Sequence, residues 1–136
     1  MSINTPFGPL VKQEEDTIIG YLLQDNNGYV TGPSFFNQIG LSSWVPADTH
    51  IATNRTSDKA AEHHIVIHAP VTVITTQNKR YLQILDCIRD LGEYPVDAAD
   101  PDKLIRQFID KHGLEVVQFL KLARHYGHHA ERWYFG

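Results

Sequence analysis

The chain has 136 residues, 42% hydrophobic and 21% charged, an ordinary balance for one globular domain built on a single core. No apolar run is long enough to cross a bilayer, and MSINTPFGPL has neither the basic start nor the apolar core of a signal peptide, so a cytoplasmic location is expected. A formal charge of −4 argues against a strongly basic nucleic-acid binder, and the single cysteine, Cys87, excludes an internal disulfide.

Residues 1–11 read as an extended lead-in. From Lys12 to Gln24, acids come first and Ile18, Ile19, Leu22 and Leu23 follow, the pattern of an amphipathic helix with its dipole complemented. Gly28 allows a turn after Asp25-Asn26-Asn27, and Tyr29, Val30 and Thr31 make a short β-prone stretch. Gly32-Pro33 then opens a short helix carrying Phe35, Phe36 and Ile39, with Pro33 at the first helical position. Gly40 suits the left-handed residue just past that helix, so that Leu41 folds back onto it. After Val45-Pro46 a strand pattern resumes from Thr49 to Thr53.

Thr56 to Glu62 is a polar loop, and His63 to Val73 predicts one bent strand or two, interrupted at Pro70. Alternation there puts His64, Val66 and His68 on one face and Ile65 with Ile67 on the other. Thr75 or Thr76 caps a helix over Gln77 to Leu91, whose broad apolar stripe includes Tyr81, Leu82, Ile84, Leu85 and Ile88, and Cys87 on that pattern reads as buried and inert. Gly92 to Asp100 is a loop, and Asp100-Pro101 is an N-cap followed by proline at the first helical position. Helices over Pro101–His112 and Leu114–Tyr126, separated by Gly113, are expected to form an antiparallel hairpin. Trp133-Tyr134-Phe135 is too apolar to hang free and should dock on this domain or a neighbour. These elements predict one α+β domain: a small, largely antiparallel sheet packed by an N-terminal helix and a helical C-terminal half. Its parts are the lead-in, an α/β module over residues 12–75 and a helical part over residues 76–136.

The segment YVTGPSFFNQIGLSSWVPADTHIATNR resembles the corresponding segment of AbiEi-family antitoxins of bacterial type IV toxin–antitoxin systems. Phe7-Gly8-Pro9-Leu10 resembles the lead-in of such proteins, and Leu82-Gln83-Ile84-Leu85-Asp86-Cys87-Ile88-Arg89 their helix of LxxLDAIR type. The matching stretches cover about two thirds of the chain. The resemblance implies a non-enzymatic antitoxin or transcriptional regulator that opposes a nucleotidyltransferase toxin. The family carries a winged-helix DNA-binding domain ahead of this region, whereas only Met1 to Gln24 precede it here, which leaves DNA binding open. The resemblance points to a protein-binding surface around Ser34, Trp44, Asn54 and Arg55, with no cofactor.

Several chemistry-bearing residues also have plainer roles. His125, His128 and His129 have separations that could share a helical face and hold a metal, the basis of an alternative reading as a small metal-binding protein or metal-dependent enzyme. His64 and His68 share a strand face roughly 13 Å apart, too far to chelate one ion together. The stretch from Pro101 to Gly136 carries a net +2, and its Lys121, Arg124 and Arg132 are candidates for phosphate-backbone contact. Asp100-Pro101-Asp102 matches a DxD only formally, because proline makes it a helix cap. Asp86 and Arg89, three apart on one helix, read as an ion pair. A homodimer built through the aromatic C-terminus is the remaining alternative.

Overall fold

The computed structural model describes residues 4–136, with side chains from residue 12 onward other than that of His129. The described elements run α1 (Asn4–Leu23), β1 (Gly28–Val30), α2 (Gly32–Gln38), β2 (Thr49–Thr53), β3 (Ile65–His68), α3 (Lys79–Arg89), α4 (Pro101–Lys111), α5 (Val116–Ala123) and α6 (His129–Phe135). The α+β class is the one expected. The sheet, in the order β1-β2-β3, is mixed: β1 pairs antiparallel to β2, and β2 pairs parallel to β3. The return from β2 to β3 is only residues 54–64, holding a 3-10 turn at Ala61–His63 rather than a crossover helix. Without a helix in that link no βαβ alternation is visible in the sequence, which is why a largely antiparallel sheet is expected from it.

Each face of the sheet has its own cover. Ile51, Ile65 and Ile67 pack with Ile18, Ile19 and Leu22 of α1, and Ala60 closes that smaller core. Tyr29 and Ala52 join the larger core, in which Phe35 and Phe36 of α2 meet Leu82, Ile84, Leu85 and Ile88 of α3. Ile65 and Ile67 thus fall on one face as the alternation predicts, and α3 is buried from Tyr81 through Ile88. Burial also drives the Cys87 thiol pKa up, away from thiolate chemistry.

Local signals fix several ends. Gly40 adopts φ +86°, and the Leu41 amide donates to the Phe36 carbonyl at 2.9 Å, closing α2. Asp100 caps α4 by accepting from the Lys103 amide at 3.2 Å. Gly28 stands where α1 crosses β1, and a Cβ there would collide with the Leu22 carbonyl oxygen.

Two expectations need correction. The lead-in expected as extended over residues 1–11 is helical from Asn4, and residues 1–3 lie outside the described residues. Pro6 stands in the first turn of α1, where an amide has no acceptor within the helix and proline costs little. The helices flanking Gly113 also do not make a simple hairpin: α4 packs on α3, α5 on α3 and α6, and α6 on α3 and α5. A broad apolar stripe on α3 offers more surface than the narrow faces of α4 and α5 offer one another. Of the C-terminal aromatics, Trp133 and Tyr134 dock on this domain, whereas Phe135 stays 71% exposed. Trp133 donates to Asp102 at 2.9 Å beneath the Arg106 guanidinium, and Tyr134 packs near Phe119 with centroids 5.9 Å apart.

Candidate functional site

Asp86 is an acid inside the buried stripe of α3, only 4% exposed. Its Oδ2 accepts from the Tyr29 hydroxyl at 2.6 Å and the Thr31 hydroxyl at 3.0 Å, and its Oδ1 from the Tyr126 hydroxyl at 2.6 Å. The Arg89 guanidinium stands 3.8 Å away and is itself bound to Asp90 at 2.9 Å. Burial raises the Asp86 pKa, against the hydroxyls and Arg89, which favour the ionised form. Burial and the neighbouring carboxylate raise both tyrosines, so Tyr29 and Tyr126 remain hydroxyl donors. The expected Asp86–Arg89 pair is therefore one edge of a node that ties β1, α3 and the 3-10 turn Arg124–Tyr126 together. With its lone pairs directed at internal donors, Asp86 holds the fold and presents no face to a substrate.

A second cluster joins neighbouring strands. His50 Nδ1 and His68 Nε2 lie 2.9 Å apart, so one nitrogen carries the proton that the other accepts. Both residues are half-buried, and burial lowers both pKa values. The parallel register sets His50 opposite Val66 and Ala52 opposite His68, making the histidines a diagonal pair on one face. Sequence alternation found the face of His68 but not its partner, because strand register across a non-local pairing is not written in either strand.

The four residues expected to form one partner surface separate into two groups. Ser34 accepts from the His50 amide at 2.9 Å and helps line a small groove with Val45, Pro46 and Asp48, beside Trp44. Asn54 and Arg55 follow the far end of β2. Asn54 brackets Ile74, accepting from its amide and donating to its carbonyl, each at 2.9 Å. Arg55 donates to the Tyr21 carbonyl at 2.7 Å and lies over the Tyr21 ring. Both clamp loops at the end of β2 away from His50, whose amide Ser34 holds.

On the Ser34–Trp44 side the chain holds apolar side chains outward on braced backbone. Trp44 is 47% exposed and Val45 72%. The Ser43 hydroxyl and amide both bind the Asp97 carboxylate, and the Trp44 amide donates to the Ser42 hydroxyl at 3.1 Å. The Asp97 and Ala98 amides in turn bind the Leu41 carbonyl at 3.0 and 3.1 Å. The Ser43 bonds hold the Asp97 carboxyl below the usual range.

Lys121, Arg124 and Arg132 are exposed and have no carboxylate partner among the described residues. His125 is exposed in the 3-10 turn, while His128 precedes α6 and lies 3.7 Å from Glu131; the side chain of His129 is outside the described set. Among the described residues, no three histidine, cysteine or acidic side chains converge on a point suited to a metal ion. No helix among them is long and apolar enough to cross a membrane. Compared with known proteins, the chain matches no family model, no curated protein and no solved structure.

Proposed function

We propose that this chain is a non-enzymatic binding domain of the antitoxin and regulator type, acting in the cytoplasm against a nucleotidyltransferase toxin. The observation that carries the reading is Trp44, a large aromatic held out to solvent beside Val45 on a loop whose backbone is already fixed by Asp97 and Leu41. Tryptophan is the side chain most often found at the energetic centre of a protein interface. A braced loop loses little conformational freedom on docking, so more of the contact energy remains as affinity. The partner class comes from the AbiEi-like sequence segment, which includes this loop.

Growth rescue tests it. Co-expression with a nucleotidyltransferase-type toxin encoded beside this chain should restore growth, and Trp44→Ala should abolish the rescue while leaving stability within about 0.5 kcal/mol, as for an exposed side chain. Absence of rescue with soluble protein present, or full rescue by the variant, refutes the proposal. The exposed Lys121, Arg124 and Arg132 favour a second reading, regulation through phosphate-backbone contact at the C-terminal end. DNA binding that falls steeply with salt supports that role, and no binding at low ionic strength removes it.

A further inference from the structure

A cavity of about 450 Å³ opens where the end of α2 meets α3 and α4, away from the Trp44 loop. Its lining includes Arg80, Gln83, Gln107, Phe108, Lys111 and His112, and no acid stands among the described lining residues. Three basic groups thus converge in a chain whose formal charge is −4. Neither Arg80 nor Lys111 has a carboxylate partner among the described residues.

Arg80 is positioned rather than loose. Its Nη1 donates at 2.7 Å to the Gln83 side-chain oxygen, and Gln83, 2% exposed, donates from its amide nitrogen to the Val30 carbonyl at 3.0 Å. A buried amide anchored on β1 therefore aims a guanidinium into the cavity. Lys111 in the last turn of α4 complements that helix dipole, but Arg80 and Lys79 occupy the first turn of α3, which contains no acid. Cations at that end oppose the dipole, so the helix itself does not favour them there. His112 lies against the buried Phe108 ring with centroids 4.4 Å apart, giving the charged cavity an aromatic wall. Burial, Arg80 and Lys111 together lower the His112 pKa, consistent with cationic groups left without a counter-charge.

We infer that this cavity binds a small phosphate-bearing ligand with a planar ring, a nucleoside monophosphate in its chemistry, with Arg80 and Lys111 on the phosphate and the Phe108–His112 wall on the ring. The volume suits such a ligand. A guanidinium fixed before binding loses little freedom when it forms paired, charge-assisted bonds to phosphate.

Calorimetry on the full chain at low salt, with adenosine 5′-monophosphate, inorganic phosphate and adenosine titrated separately, tests the assignment. The monophosphate should bind most tightly, and its affinity should fall about tenfold or more in Arg80→Gln and by less in Lys111→Gln. Lys59→Gln, in the exposed loop between β2 and β3, should leave it unchanged. Titration of the unmodified protein should also shift the His112 ring resonances, a readout independent of any variant's folding. No heat and no shift at millimolar monophosphate overturns the inference, as does equal weakening by Lys59→Gln. Inorganic phosphate binding as tightly as the monophosphate overturns the ring recognition.

Discussion

Removing the Asp86 carboxylate should cost the fold more than any single surface change, because three hydroxyls from two other segments terminate on it. In Asp86→Ala the Tyr126 hydroxyl retains the Leu82 carbonyl at 3.4 Å as an acceptor, but Tyr29, 1% exposed, and Thr31, 2% exposed, have no comparable substitute. A stranded buried hydroxyl costs roughly 1–3 kcal/mol, so two of them set a loss of about 2–6 kcal/mol, lessened by relief of the buried charge. Urea denaturation of the four proteins in a cycle with Tyr29→Phe isolates the key bond. Tyr29→Phe should destabilise the parent yet be neutral or stabilising beside Asp86→Ala, with a coupling of roughly 1–3 kcal/mol. A coupling below about 0.5 kcal/mol would refute the node, since independent sites add to within that margin. The pH dependence gives a second check. The folded-state pKa of Asp86 is raised, so the folded state holds this proton more tightly and the stabilisation it brings fades as pH rises through that pKa. The stability of the parent relative to Asp86→Asn should therefore be greatest in acid and decline towards neutrality. The opposite trend would mean that the hydroxyls and Arg89 outweigh burial.

The His50–His68 pair has the reverse sign. Both pKa values are lowered in the fold, so its contribution is complete above the unfolded histidine value of about 6.5 and is lost as pH falls through the folded values. Melting temperature should drop between neutral pH and about pH 5, and His50→Gln with His68→Gln should flatten that drop; an unchanged profile argues against the pair as its source. Gly28→Ala would press a methyl group onto the Leu22 carbonyl and crowd the Ala52 carbonyl at 3.0 Å, so a loss of roughly 1–3 kcal/mol is expected by chemical denaturation, and a neutral result would show that α1 shifts freely on the sheet.

Much of the local structure was legible because its causes are local. Gly40, Asp100-Pro101 and Gly113 mark helix ends through backbone freedom and capping, which need only neighbouring residues, and alternation put Ile65 and Ile67 together on one face. The wide stripe of α3 announced burial, and Asp86 within that stripe was the one sequence signal that a buried polar node existed. Its partners Tyr29, Thr31 and Tyr126 were not legible, being up to 57 residues away. Asn54 and Arg55 read as surface polar residues, yet both are spent on bracing loops.

The sequence by itself determined the α+β class, most element types and their ends, because hydrophobic period and turn chemistry act over a few residues. The tertiary structure alone decided the parallel pairing of β2 with β3, the meeting of His50 with His68, the docking of α4, α5 and α6 around α3, and the convergence of Arg80 with Lys111. Each of these depends on contacts between residues distant in the chain, selected by which combination of faces buries the most apolar surface and satisfies the buried polar groups, and no local pattern encodes that choice.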